Sequence, residues 1–273
     1  MTIARTTAAL REAIARHGAA SARRVVGFVP TMGALHDGHA ALIAAARREC
    51  TTVVVSVFVN PTQFNDPADL AAYPRDEARD AAIAGRAGAD LLFAPDAAEM
   101  YPPGHATTVE VRGAAIGFEG DARPGHFAGV ATVCVGLFGV VRPDRAYFGQ
   151  KDAQQVAVVQ QVVRDLHLPL QIVVVPTMRD ADGLALSSRN ARLSAAERAR
   201  AAAVPAAVRA GLAAHRAGQD PVAAARTALA GLDVGYVGLA TLNGDPTLVI
   251  AVRIGTTRLI DNVPLDHPER AGL

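Results

Sequence analysis

The chain has 273 residues, of which 51% are apolar, and its formal net charge is +1. A nearly neutral chain lacks the positive charge on which general nucleic-acid binding depends, so we expect no nucleic-acid partner. No apolar run is long enough to span a membrane, and the two cysteines, Cys50 and Cys134, lack the spacing of a metal site, which favours a reducing cytoplasm.

Apolar, strand-like runs alternate with helical patterns over residues 7–175. The predicted strands are residues 25–29, 52–59, 91–94, 145–148 and 171–175. The predicted helices are residues 7–17, 40–48, 76–87, 127–141 and 153–166. Uninterrupted β-branched strands that alternate with helices predict an α/β fold, a Rossmann-like parallel sheet covered by helices on both faces. Ligands of such sheets bind beyond the carboxyl ends of the strands.

The pattern changes after residue 175. Residues 176–183 are polar and predict a linker, and helices are predicted at 195–216, with Pro205 as a possible break, and at 222–231. Strand-like runs follow at 236–241, 248–252 and 258–260. These elements predict a smaller C-terminal α+β domain over 178–273, after a larger domain over 1–177.

The stretch 30–39 reads Pro-Thr-Met-Gly-Ala-Leu-His-Asp-Gly-His and connects the first long strand to a helix. Glycines let the backbone approach a ligand closely, and a helix N-terminus offers unpaired N–H groups to an anion. His36 and His39 are three residues apart, so both can face one side of the opening turn. The pattern indicates a nucleotide phosphate site. The alternative is an ordinary loop with two solvated histidines.

Lys151 is the only lysine among the 27 lysine and arginine residues of the chain. It follows a predicted strand end and precedes Asp152, a plausible helix N-cap. A lysine that persists in an arginine-rich chain indicates a need for a compact, flexible charge, as at nucleotide phosphates. The alternative is that one lysine survived by chance. The chain has neither a Gly-x-Gly-x-x-Gly pattern nor a P-loop pattern, so an ordinary dinucleotide or P-loop site is not supported.

A third element, Leu186-Ser187-Ser188-Arg189, follows the predicted linker. Two hydroxyls and a guanidinium in a flexible polar loop can bind a triphosphate, although serine-rich linkers are common. Together with His-x-Gly-His at 36–39, this element resembles the nucleotidyltransferase superfamily that includes class I aminoacyl-tRNA synthetases. There the late element usually carries a lysine, whereas this chain has Arg189.

The resemblance narrows because six motifs occur in one order, at residues 30–39, 58–64, 73–75, 123–127, 146–152 and 186–190. This set resembles the pantothenate synthetase (pantoate–β-alanine ligase) family over nearly the whole chain. Gly139 and residues 235–240 depart from the family pattern, away from the chemistry. The resemblance implies a two-step reaction on the route to coenzyme A. Pantoate attacks ATP to give pantoyl adenylate and pyrophosphate, and β-alanine then displaces AMP to give pantothenate.

The resemblance also implies roles for single residues. The ATP-binding set would be Met32, Gly33, Ala34, Leu35, His36, Asp37, Gly38, His39, Gly149, Gln150, Lys151, Asp152, Met178, Leu186, Ser187, Ser188 and Arg189. The catalytic set would be His39 as proton donor, with His36 and Lys151. Pantoate would be bound by Gln63, Gln155 and Asn60. Arg123 and His126 match a family motif without an assigned role.

The expected ligands are therefore pantoate, β-alanine and ATP. Mg²⁺ is expected as a cofactor that accompanies ATP, and no carboxylate pair predicts a dedicated metal site. We expect a cytoplasmic homodimer joined through the larger domain, in which the smaller domain acts as a lid, and no membrane partner. Two alternatives stay open: a nucleotidyltransferase that leaves AMP or CMP on its product, and a nucleotide-sensing protein without activity.

Overall fold

The structure, a computed structural model, describes residues 1–18, 24–242 and 244–273. The chain forms two compact units. The first comprises Met1–Phe148 and Gln154–Val175, and the second comprises Gly149–Ala153 and Pro176–Leu273. The assignment of an ATP- and pantoate-binding domain to 1–177 and a lid to 178–273 stays a prediction.

The first unit contains a six-stranded sheet in the order β1-β4-β3-β2-β5-β6. Its strands are β1 (Thr2–Ala4), β2 (Val26–Thr31), β3 (Thr52–Val57), β4 (Leu91–Phe93), β5 (Arg145–Gly149) and β6 (Gln171–Val175). β2 pairs in parallel with both β3 and β5, so the carboxyl ends of these three strands lie at one edge of the sheet. The predicted parallel sheet is confirmed. β1 was not predicted, because only one of its three residues is buried, whereas the equally short β4 is buried throughout.

Helices cover both faces of this sheet. They are α1 (Thr7–Gly18), α2 (Asp37–Glu49), α3 (Pro67–Ala71), α4 (Glu77–Ala87), α5 (Ala97–Met100), α6 (Glu119–Ala122), α7 (His126–Val141) and α8 (Ala153–Asp165). Adjacent residues of β2 enter different cores: Phe28 packs in one cluster with Leu137 of α7, and Val29 packs in another with Ile43 of α2. Burial on both faces explains why the strands are apolar without interruption.

The second unit is a small α+β structure, as predicted. Its helices are α9 (Ala195–Ala201), α10 (Ala203–Arg216) and α11 (Pro221–Ala228), and its strands are β7 (Asp233–Leu242), β8 (Asp245–Ile254) and β9 (Thr257–Pro264). The strands form an antiparallel sheet in the order β7-β8-β9. The core joins Val208 of α10 to Ile250 of β8 and Leu259 of β9.

The single helix predicted over 195–216 is two helices that meet at Ala202. Pro205 has no N–H to donate to the carbonyl of Ala201, and its ring would clash with that carbonyl in a continuous helix. The break therefore lies one turn before the proline. Pro205 itself occupies the first turn of α10, where proline is tolerated.

Two further observations concern membrane spans and the cysteines. Among the helices described, none is long and apolar enough to cross a membrane. Cys50 and Cys134 are both buried free thiols, and burial raises the pKa of Cys134 to about 12. A thiol with so high a pKa stays protonated and unreactive at neutral pH.

Candidate active site

The turn from β2 into α2 has a backbone that favours glycine at its start. Gly33 has φ +83°, and Ala34 follows with φ +52°. A Cβ atom on Gly33 would lie 2.8 Å from Oδ2 of Asp80 and 3.0 Å from Cγ1 of Val57. The left-handed backbone and the close approach of two side chains together favour glycine at this position.

A buried carboxylate holds this turn in place. Asp80 of α4 accepts the backbone N–H of Ala34 on Oδ2 (3.0 Å) and that of Leu35 on Oδ1 (2.7 Å). Burial raises the pKa of Asp80, and the two backbone hydrogen bonds act in the opposite direction. Sequence reasoning missed this residue. A usable signal was its place four residues before Ala84, which puts a carboxylate on the buried stripe of α4.

The two histidines cap the start of α2. Nδ1 of His36 accepts the N–H of Gly38 (3.2 Å), and Nδ1 of His39 accepts the N–H of His36 (3.3 Å). This reciprocal arrangement is a capping box in which imidazoles replace the usual hydroxyl and carboxylate. The ring centroids are 4.2 Å apart. Because Nδ1 of each ring is an acceptor, each neutral ring carries its proton on Nε2 and donates from that atom.

Amide side chains follow the neighbouring strand, β3. Asn60 (1% exposed) caps a 3₁₀ turn, Pro61–Gln63, and its Nδ2 donates to Oε1 of Gln63 at 2.9 Å. Nε2 of Gln63 in turn lies 3.0 Å from the sulfur of Met32. The structure thus brings Asn60 and Gln63 together with the first residue of the predicted ATP loop. The two bonds fix which end of the Gln63 amide faces which neighbour.

Tyr101 completes this amide cluster and was not predicted. Its hydroxyl donates to Oδ1 of Asn60 at 2.7 Å, and burial raises the pKa of the phenol. Its ring packs at an angle against Phe58, with centroids 6.1 Å apart. A lone tyrosine after a short helix carries no sequence signal for this role.

Gln155, the second predicted pantoate ligand, lies in the first turn of α8 and is half-buried. Its neighbour Gln154 is buried and braces the loop before α6. Nε2 of Gln154 donates to the carbonyl oxygens of Ala114, Ile116 and Gly117, and Oε1 accepts the N–H of Glu119. Of two adjacent glutamines, one therefore has a structural role and the other stays the candidate ligand.

In the second unit, Lys151 lies in a 3₁₀ turn, Gln150–Asp152, that runs directly into α8. Its side chain is 17% exposed, and Nζ is 3.5 Å from Oδ1 of Asp152. Asn262 of β9 holds this turn, because its Nδ2 donates to the carbonyl oxygens of Gln150 and Lys151 at 3.0 and 2.9 Å. Sequence reasoning missed Asn262, which is buried and 111 residues from Lys151 in the chain.

Gly149, just before this turn, is not required by the fold. Its φ is −84°, and no heavy atom beyond its chain neighbours lies within 4 Å of a Cβ built on it. A glycine that the protein itself does not need is compatible with close approach of a ligand to the backbone.

The predicted linker and the Ser-Ser-Arg element are more ordered than expected. Residues 176–186 form a hairpin in which the N–H of Leu186 donates to the carbonyl of Met178 (2.9 Å), and a buried bidentate pair joins Arg179 to Asp261. Ser187 caps a 3₁₀ helix, Ser188–Arg192. Two features, the local cap at Ser187 and the ion pair to β9, give this polar stretch a structure that composition does not reveal. The hairpin brings Met178 and Leu186 together.

The part of the chain that the structure describes contains no group of three or more His, Cys, Asp or Glu side chains that could hold a metal ion. Both oxygens of Asp80, the buried carboxylate nearest the loop, already accept backbone N–H groups.

Comparisons of sequence and of structure with known proteins point to a single family. Residues 2–264 match the family model described as pantoate-beta-alanine ligase. The pantothenate synthetase of Rhizorhabdus wittichii is 51% identical over 97% of this chain and 99% of its own, and that of Cereibacter sphaeroides is 49% identical over 96% and 99%. The crystal structure of pantothenate synthetase from Thermus thermophilus superposes with a TM-score of 0.89 at 46% identity, covering 97% of this chain and 99% of that one.

A second solved structure is the pantoate-beta-alanine ligase of Francisella tularensis, complexed with beta-gamma ATP and beta-alanine. It has a TM-score of 0.80 and 35% identity, and it covers 97% of this chain and 98% of that one. The matches extend over both units and include every motif on which the resemblance was based. The chain belongs to the pantoate–β-alanine ligase family.

Proposed function

We propose that this enzyme condenses pantoate with β-alanine to form pantothenate, with ATP converted to AMP and pyrophosphate. The observation that carries the proposal is the pair of imidazoles that cap α2, each with Nε2–H as its donor, at the strand edge where β3 supplies an uncharged amide cluster. The first group suits phosphate oxygens and the second suits a hydroxy acid. The Francisella relative, complexed with beta-gamma ATP and beta-alanine, supports both cosubstrates.

In the first step, the carboxylate of pantoate attacks the α-phosphorus of ATP, and the bond to the β,γ-pyrophosphate breaks. This step moves no proton from the carboxylate, so His36 and His39 are best suited to donate hydrogen bonds to phosphate oxygens as negative charge shifts to the leaving group. A doubly protonated imidazole would lose its Nδ1 acceptor and with it the cap on α2. We therefore propose that His39 acts from its Nε2–H in the neutral form.

In the second step, the amine of β-alanine attacks the acyl carbon of pantoyl adenylate, and AMP leaves. Lys151 would hold phosphate oxygens throughout, with Gly149 and Gln150 beside them and Asp152 near the ribose. Met178 and Leu186 would contact the adenine side. Ser187, Ser188 and Arg189 would bind the triphosphate. Mg²⁺ would arrive with ATP as part of the substrate, because the described residues offer no dedicated set of ligands.

Pantoate would be bound by neutral amides. Gln63 and Gln155 each have a donor and an acceptor, so they can pair a hydroxyl and a carboxylate without adding charge. An ion pair with a cation would lower the basicity of the attacking carboxylate, and amides avoid that. Asn60 would hold Gln63 rather than contact pantoate, because its Nδ2 donates to the Gln63 side chain and to the carbonyl of Gly129.

We expect Gln63→Ala and Gln155→Ala to raise the KM for pantoate much more than the KM for ATP. A hydrogen bond to a charged group contributes about 1.5–3 kcal/mol, which corresponds to a rise of roughly 10-fold to 150-fold. Steady-state kinetics with each substrate varied in turn measures both constants. Gln171→Ala is a matched control, because Gln171 is exposed at the start of β6. Equal rises for both substrates would mean that the pantoate pocket is misassigned.

The reaction itself is tested by incubating the protein with ATP, pantoate and β-alanine. Pantothenate and AMP should appear in equal amounts, and omission of β-alanine should abolish steady release of AMP. A nucleotidyltransferase would instead leave the nucleotide on its product. Formation of such an adduct without free AMP would contradict the proposal.

We also propose that the protein is a cytoplasmic homodimer, and the dimer rests on the family resemblance alone. The apolar residues of α7 are largely buried within the chain, so they do not by themselves support an interface. Analytical ultracentrifugation at micromolar concentration should give a species of twice the 28.2 kDa chain mass. Sedimentation of the 28.2 kDa chain alone would contradict the dimer.

A further inference from the structure

The main-chain carbonyl of Gln63 is held by two side chains that have no assigned role. Nδ1 of His126 lies 2.9 Å from this oxygen, and Nη2 of Arg123 lies 3.2 Å from it. A carbonyl oxygen can only accept, so both side chains donate. His126 is 6% exposed and is the first residue of α7. The last carbonyl of a 3₁₀ turn has no partner within the turn, and here two donors from the junction between α6 and α7 bind it.

The two side chains also fix each other. Nη1 of Arg123 lies 3.1 Å from Nε2 of His126. A guanidinium has only donors, so Nε2 of His126 accepts, and the neutral ring carries its proton on Nδ1. This is the tautomer that the contact with the Gln63 carbonyl requires. The two observations therefore agree on one arrangement, in which the guanidinium donates to the imidazole and the imidazole donates to the carbonyl.

The backbone of α7 also fixes the position of the Pro61–Gln63 turn, because the two pack directly against each other. A Cβ atom on Gly129 would lie 2.4 Å from the carbonyl oxygen of Thr62 and 2.8 Å from the nitrogen of Gln63. The carbonyl of Gly129 accepts Nδ2 of Asn60 at 3.2 Å. The turn thus rests directly on helix backbone. Side-chain repacking cannot move it without breaking these contacts.

We infer that Arg123 and His126 are positioning residues that set the affinity for pantoate, by holding the main chain of Gln63 where its amide can bind the hydroxy acid. The inference rests on the proposed function. It extends that function because neither residue needs to touch a substrate. The main chain of Gln63 is anchored by this pair, and its side chain is oriented separately by Asn60 and Met32.

The test uses two substitutions that separate the two bonds of His126. The amide nitrogen of asparagine can replace Nδ1, so His126→Asn keeps the bond to the Gln63 carbonyl and loses the one from Arg123. The amide oxygen of glutamine can replace Nε2, so His126→Gln keeps the hydrogen bond from Arg123 and loses the hydrogen bond to the Gln63 carbonyl. We expect the KM for pantoate to rise by about threefold in His126→Asn. In His126→Gln and His126→Ala, which lose the hydrogen bond to the Gln63 carbonyl, we expect it to rise by roughly tenfold or more. The net contribution of one hydrogen bond corresponds to factors of this size.

The KM values are measured by pantoate-dependent exchange of pyrophosphate into ATP, and the KM for ATP should stay within about twofold of the wild-type value. Arg123→Met, which keeps the side-chain stem and removes the donors, should behave like His126→Gln. His17→Gln is the control, because His17 is exposed at the end of α1.

A role in packing alone predicts the opposite ranking, since glutamine is closer to histidine in size. Equal effects of His126→Asn and His126→Gln, or equal rises in the two KM values, would overturn the inference. If His126→Ala does not fold, as judged by circular dichroism, the comparison of His126→Asn with His126→Gln still tests the inference. Absence of both exchange and pantothenate formation in the wild-type protein would instead contradict the proposed function itself.

Discussion

Replacement of His39 by alanine is expected to slow adenylation by roughly 10²–10⁴-fold. The imidazole would donate from Nε2 to a phosphate oxygen, and the benefit is greatest when charge accumulates in the transition state. The methyl side chain of alanine offers no such donor. The rate is measured as pantoate-dependent pyrophosphate exchange at saturating ATP, so that the loss is in the chemical step and not in substrate binding.

Because His39 also caps α2, a second variant must separate the two roles. Loss of a cap costs about 0.5–2 kcal/mol of stability, which thermal unfolding of His39→Ala should detect. In His39→Asn, the side-chain oxygen can replace Nδ1 as the acceptor of the His36 N–H, but the donor at the Nε2 position is gone. We expect His39→Asn to recover stability and to stay slow. Recovery of the rate in His39→Asn would mean that the cap alone matters.

Replacement of Lys151 is expected to slow adenylation almost as much as replacement of His39. Loss of one positioned donor to a developing charge costs roughly 10²–10³-fold in rate, and we expect a loss of this size in Lys151→Ala. Lys151→Arg should not recover full activity, because a broad planar guanidinium replaces a compact ammonium. The Arg variant keeps a cation that can still pair with Asp152, so it isolates the shape of the charged group. Full activity in Lys151→Arg would show that this lysine survived by chance.

The lone lysine also permits a chemical test. Amine-reactive reagents can modify only Lys151 and the amine of Met1. Met1 is exposed, whereas the Lys151 side chain is only 17% exposed, so the terminus should react first. We expect activity to follow the fraction of modified Lys151 measured by peptide mass spectrometry, and ATP with Mg²⁺ to protect it. Activity that falls with modification of Met1 would contradict the assignment.

The parts of the fold that the sequence predicted are those with a local signal. β6 was placed at its observed residues, and β2, β3, β4 and β5 were placed within two residues at each end, because uninterrupted apolar runs mark strands buried on both faces. The strands of the smaller sheet are longer than predicted, by three residues at the start of β7 and β8 and by four at the end of β9. The motifs at 30–39 and 58–64 follow β2 and β3, which pair in parallel, so the strand pattern was enough to place these two motifs at one edge of the sheet. The sequence could not reveal β1 or the capped 3₁₀ helix after Ser187.

What the sequence did not predict is the set of residues that hold the motifs in place. Asp80 bonds to a loop 45 residues away, Gln154 to a loop 35 to 40 residues away, and Asn262 to a turn 111 residues away. Asp80 left a usable signal in its place on the buried stripe of α4, but Gln154 and Asn262 leave none, and only the folded chain brings them to their partners. Tyr101 and His126 belong to the same class.

The central claim is that catalysis proceeds through pantoyl adenylate. Isotope exchange between labelled pyrophosphate and ATP tests it most directly, because exchange requires that adenylation be reversible before β-alanine reacts. We predict exchange that depends on pantoate and proceeds without β-alanine. Exchange that strictly required β-alanine, or none at all in a protein that forms pantothenate, would contradict an adenylate intermediate and indicate a concerted reaction.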